Sequence, residues 1–117
     1  MNIINLTPHP INFRNEDGTE FEIAPCGVVL NATAVNEFAG QHISGVELVS
    51  VRFTADEQNK RALETLESEN PGAIIVGSMI AAQGFPGRVV AMIAATGYER
   101  RPPAEKRMNP RKFTVFS

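Results

Sequence analysis

Two histidines, one cysteine, several serines and the arginines are the side chains of this sequence that could do chemistry, and their spacing decides which kind. A nucleophilic triad needs a serine or cysteine brought to a histidine and a carboxylate. The raw material is His9, His42, Cys26 and the serines, with no nucleophile-elbow GxSxG among them. Val76-Gly77-Ser78-Met79 comes nearest but lacks the second glycine, so the plain reading of Ser78 is structural. Metal binding needs ligands at set spacings. Two isolated histidines do not provide them, and Glu16/Asp17 and Glu64/Glu67 read as ordinary surface carboxylates. Because Cys26 stands alone, an intramolecular disulfide, a cysteine cage for zinc and a CxxC redox pair are excluded. The pattern points to no catalytic residue, no metal ligand and no cofactor.

Binding remains. Phosphate cradles are glycine-bearing turns between a strand and a helix, with backbone N–H groups and a cation aimed at the anion. Residues 77–84 follow an apolar run and carry glycine at both ends, with Arg88 beyond, yet match neither GxxxxGK[ST] nor GxGxxG. Phe85 and Arg88 in the next turn offer an aromatic face for a base and a guanidinium for phosphate, and Arg100 and Arg101 could supply more of the latter. The competing reading of Phe85, ahead of Pro86, is a plug of the core. Thr7-Pro8-His9-Pro10 is the second unusual element: its prolines stiffen it, and Thr7 and His9 suit either a binding rim or a stable corner closed by hydrogen bonds.

Net charge is −2, but it is unevenly spread. Residues 1–98 hold five Lys/Arg against eleven Asp/Glu, whereas residues 99–117 hold six against two. An acidic body with a basic tail suggests an anion-binding arm, or a tail docked on an acidic face of its own subunit or a neighbour's. Long nucleic acid is disfavoured, since the body would repel a phosphate backbone. No window approaches the roughly 20 apolar residues of a membrane span, and the first residues lack a secretory pattern, so the expectation is a cytoplasmic protein with no membrane partner.

The elements that must position these residues read as α+β: mostly short antiparallel strands and hairpins with one long helix over about 55–69. Ile3-Ile4-Asn5-Leu6, Ile11-Asn12-Phe13-Arg14 and Phe21-Glu22-Ile23 are β-prone, and Asp17-Gly18 lies between the last two as a hairpin turn. Val28-Val29-Leu30 reads as a further strand, and residues 31–42 are ambiguous between a helical turn and a loop. In the 46–53 run, Val49, Val51 and Phe53 share one face, which the alternation marks for the core. Thr54-Ala55-Asp56-Glu57 has the form of a capping box, and Asn70-Pro71-Gly72 ends the helix. Ala73-Ile74-Ile75-Val76 reads as a central strand, residues 77–83 as close backbone packing or a short helix, and Val89-Val90-Ala91-Met92-Ile93 as another strand. Phe113-Thr114-Val115-Phe116 suggests a last edge strand or an anchor on another subunit. Residues 1–98 make one domain, and 99–117 a basic tail docked on itself or on a neighbouring subunit.

Asn5-Leu6-Thr7-Pro8-His9-Pro10-Ile11-Asn12, then Ile23-Ala24-Pro25-Cys26-Gly27, and later the 74–83 run resemble a widespread family of small bacteriophage and prophage proteins that open with a strand and NLTPH. The likeness covers the N-terminal third and residues 74–90. It departs in having Ala24 and Cys26 where that family has Pro and Ser, and an added Gly77. The layout is similar to the Thoeris anti-defence type of phage protein, which sequesters cyclic nucleotide signals of bacterial immunity. The resemblance implies a non-catalytic, homo-oligomeric sponge in the host cytoplasm that binds a small phosphate-bearing nucleotide. On residue chemistry, the ligand-binding candidates are Phe85, Arg88, Arg100, Arg101, Thr7 and His9. The competing expectations are a protein–protein inhibitor or adaptor of a host factor, and a structural or morphogenetic phage protein.

Overall fold

Ile3-Ile4 and Ile74-Ile75-Val76 are apolar runs without alternation, as suits strands covered on both sides. They become parallel neighbours: β1 (Ile3–Asn5) pairs with β6 (Ile74–Gly77), Ile3 beside Ile74 and Asn5 beside Val76. The computed structural model describes residues 2–117. Its other strands are β2 (Ile11–Arg14), β3 (Glu20–Ile23), β4 (Thr33–Gln41), β5 (Glu47–Thr54), β7 (Val90–Ala94) and β8 (Met108–Thr114), and its helices are α1 (Glu57–Glu69) and α2 (Met79–Gly84).

Six strands form one mixed sheet in the order β1-β6-β7-β8-β2-β3. Past the end of β3, Pro25 bridges to Asn5, and the Cys26 N–H donates to the Asn5 carbonyl at 2.9 Å. The sheet is therefore curled almost shut, like a barrel. Strand alternation sends Ile3, Ile11, Phe13 and Val76 to one core, flanked by Met92, Met108 and Phe113. It sends Ile4, Ile75 and Ala91 to the other, which is covered by Leu63 of α1 and by Ala81 and Ala82 of α2. Gly77 is needed where α2 leaves the sheet, because a Cβ there would stand 2.9 Å from Val89 Cγ1 and 3.2 Å from Ala81 Cβ.

The expected α+β fold of short antiparallel strands with one long helix is corrected in three ways. The chain is mostly β, 39% strand against 16% helix, so the sheet and not the helix sets the architecture. Three of its strand pairs, β1/β6, β6/β7 and β2/β8, are parallel. The helical content is two short helices of 13 and 6 residues. The N-cap of α1 is Asp56, whose carboxylate accepts from the Asn59 N–H at 2.8 Å, because Thr54 is still held in β5 opposite Thr33. The ambiguous 31–42 stretch contains the nine-residue β4, while residues 28–30 form no strand. The last strand is not an edge: β8 lies between β7 and β2. β4 and β5 form a separate two-stranded ribbon, and the supposed core face of Val49 and Val51 is exposed. No helix of the described residues is long and apolar enough to cross a membrane.

Candidate functional site

Pro8 and Pro10 carry no N–H, so the turn between β1 and β2 cannot close itself with backbone donors. Asn5 supplies them. Its side chain is fully buried, and its Nδ2 donates to the carbonyls of His9 at 2.8 Å and Ile23 at 3.1 Å. Its Oδ1 accepts from the Thr7 N–H at 2.8 Å and from the Thr7 hydroxyl at 2.6 Å. All four hydrogen-bonding positions of the amide are used. The corner is fixed to the end of β1 and to the end of β3, and His9 is left exposed on its outside.

Beside this corner is a cleft of about 370 Å³. Its floor is Pro10, Ile11, Met92, Pro103 and Met108, and its polar rim is Thr7, His9, Asn12 and Lys106. The parallel pairing of Phe13 with Met108 brings the 103–108 segment alongside β2 and so carries Lys106 to the rim. A second tie holds that segment: Glu20 accepts from Arg107 Nε at 2.7 Å and from Arg14 Nη1 at 2.8 Å. These two guanidinium groups, Arg107 first, hold the Glu20 carboxyl below its ordinary pKa, and Glu20 in turn raises that of Arg107. Two further concavities, along Asn15, Glu16 and Asn109, are lined mainly by polar groups including Glu16 and Asp17.

The six sequence candidates do not converge. Thr7 and His9 line the apolar cleft together. Phe85 is 3% exposed in the helix-covered core, so its ring has no free face for a base. Arg88 forks onto Glu67, with Nη2 at 2.5 Å from Oε1 and Nε at 3.3 Å from Oε2, and this pairing raises its pKa. Arg100 and Arg101 are exposed in the loop before β8, where the Arg101 guanidinium stacks 5.2 Å from the Tyr98 ring centroid, and Arg14 approaches the same ring at 5.8 Å. Neither lines the cleft. Lys106 does, and sequence spacing gave no sign of it, since 94 residues separate it from Asn12.

Among the groups able to act as nucleophiles, Ser44 lies against a histidine, its Oγ 2.8 Å from His42 Nδ1 in the exposed turn between β4 and β5, where the Ser44 N–H also donates to that nitrogen at 3.1 Å and closes the turn. The Ser78 hydroxyl caps α2 by accepting from the Ala81 N–H at 3.0 Å, and the Thr7 hydroxyl is given to Asn5. Cys26 is exposed, with its thiol 3.5 Å from the Val28 carbonyl. Among the described residues, no group of three or more His, Cys, Asp and Glu side chains is placed to hold a metal ion. The cleft offers apolar contact, an imidazole and one ammonium at a rigid corner, which is equipment for holding a ligand. Compared with family models, curated proteins and solved structures, the chain matches none.

Proposed function

We propose that this chain is a non-catalytic binding protein whose ligand is small, anionic and partly apolar, as a phosphate-bearing nucleotide is. The observation that carries this is the cleft itself, where a floor of Met92, Met108 and Ile11 adjoins Lys106 and His9. A base or ribose would lie on the floor, phosphate would meet Lys106, and the corner buttressed by Asn5 would hold Thr7 and His9 in place without reordering on binding. At about 370 Å³ the cleft is at the small end of ligand sites and suits one nucleotide unit. A cyclic dinucleotide, the ligand class implied by the phage resemblance, would engage one of its halves here. Sequestration needs no turnover, and the functional reading is therefore a sponge.

Thermal unfolding of the full chain against cyclic di- and trinucleotides, ADP-ribose and mononucleotides tests this. A ligand at 100 times its dissociation constant stabilises by about 2.7 kcal/mol, a shift of several degrees. The shift is expected to vanish in Lys106→Ala while the unliganded midpoint stays put, and the ligand should be recovered unaltered. No shift across the panel, or one that survives Lys106→Ala, would overturn the assignment.

A further inference from the structure

One side of the β4–β5 ribbon is the more apolar, and among the described residues nothing covers its middle. In its register Phe38 faces Val49, Asn36 faces Val51 and Ala34 faces Phe53, so these residues share one side. Glu37, Ser50 and Arg52 occupy the other together with Val35 and Leu48, and Glu37 and Arg52 form an ion pair there at 2.6 Å. Phe38, Val49 and Val51 are 69%, 49% and 52% exposed, and Ile43 at the tip is 99% exposed. A lone two-stranded ribbon is marginal in water. Neither strand joins the main sheet, and the ribbon's support comes at its base, against α2.

We infer that the apolar side of this arm is the contact between two copies of the chain, packed face to face about a twofold axis with the arms antiparallel. Three observations select a second copy. First, the chain exposes 7697 Å², whereas a compact monomer of its mass exposes about 6,200 Å². The surplus is enough for the ~800 Å² that each partner buries in a stable interface. Its radius of gyration, 16.7 Å, likewise exceeds the ~13 Å of a compact domain this long. Second, Phe38, Val49 and Val51 in the middle of this side carry no charge, and Glu47, which shares it, lies next to the tip, so antiparallel stacking sets the two Glu47 carboxylates at opposite ends of the contact. Third, antiparallel arms bring each tip over the other's base. There a groove of about 320 Å³, lined by Val51, Phe53, Pro86 and Phe116 with Arg52, Gln83 and Ser117 beside them, is open to receive Ile43. None of the residues lining the ligand cleft belongs to the arm, so this contact is independent of ligand binding.

Sedimentation equilibrium of the full chain across a wide concentration range is expected to give a dimer of twice 12.7 kDa. Val49→Glu, a change at an exposed position, should leave the circular dichroism unaltered and raise the dimer dissociation constant by roughly a hundred-fold or more, because it places a carboxylate against apolar surface. In a Cys26→Ser background, a bismaleimide reaching about 10 Å, the spacing of stacked sheets, should join Val51→Cys chains but not Ser50→Cys chains. That measurement decides the matter even if Val49→Glu misfolds. A wild-type monomer at every concentration would give the face to some other partner and overturn the inference. A dimer indifferent to Val49→Glu, or equal crosslinking from Ser50→Cys, would also overturn it.

Discussion

β2 and β5 alternate in the same way. Ile11 and Phe13 lie on one side of β2 with Asn12 and Arg14 on the other, just as Val49, Val51 and Phe53 oppose Ser50 and Arg52. In β2 the apolar side is sealed by a sheet that curls nearly shut, and Phe13 has no exposure. In β5 the same pattern meets solvent, because among the described residues its one strand neighbour is β4. Alternation states which residues share a face. What covers that face is settled by strand order, and here the order leaves one ribbon without a second layer. The body covers its apolar faces from within the chain, whereas the arm leaves Phe38, Val49 and Val51 exposed.

Asn5→Ala would break the body most severely. It removes the donors to the carbonyls of His9 and Ile23 and the acceptor for Thr7, leaving groups next to two prolines that have no backbone donor to replace them. At about 1–3 kcal/mol for each unsatisfied buried group, the expected loss is about 4 kcal/mol, readable as a lowered urea midpoint. A substantially smaller loss would mean that water substitutes for the amide and that the corner is not rigid.

The contrast between regions is sharpened by pairing Leu63→Ala with Val49→Ala. Leu63 is fully buried between α1 and the sheet, and its truncation should cost about 2–5 kcal/mol at any protein concentration. Val49 is half-exposed in the single chain, where truncation should cost less than about 0.5 kcal/mol. If arms pair between copies, its effect will grow as protein is concentrated. Urea titrations at two concentrations separate the cases, and a concentration-independent loss for Val49→Ala would place that residue in an internal core instead.

Much of the body was legible because its signals are local. The Ile3, Ile11, Ile74 and Val90 runs, the Asp17-Gly18 turn and most of α1 follow from hydrophobic period and turn chemistry. The 33–41 strand was not legible, since Thr33, Ala34, Asn36 and Glu37 give it no dominant face and its strand character comes from pairing with β5. Within β8, Pro110 argues against a central strand. The ladder with β7 shifts register between Met92 and Ala94, and Pro110 falls in the matching interval between Met108 and Phe113, where no regular donor is required. The cleft was half legible: Thr7 and His9 are marked by their prolines, but Lys106 reaches them only through the parallel pairing of β2 with β8.

The smallest expected effect concerns how the basic segment is held to the body. Glu20 is the shared acceptor of Arg107 and Arg14, which keep its pKa in the folded chain below the ordinary 4.5. A carboxyl with a depressed folded pKa stabilises the fold at pH above its unfolded pKa, and that contribution is lost as pH falls through the folded value. The window therefore opens just below pH 4.5, and Glu20→Gln should flatten the part of the stability profile that this group contributes there. The groups are exposed, so the effect is modest and should shrink further in high salt. Because Arg107 adjoins Lys106, the same variant reports on the cleft: looser anchoring should weaken ligand binding at neutral pH more than it lowers stability. Equal ligand affinity in wild type and Glu20→Gln would mean that the pairing in the sheet, Phe13 with Met108, is enough to position the lysine.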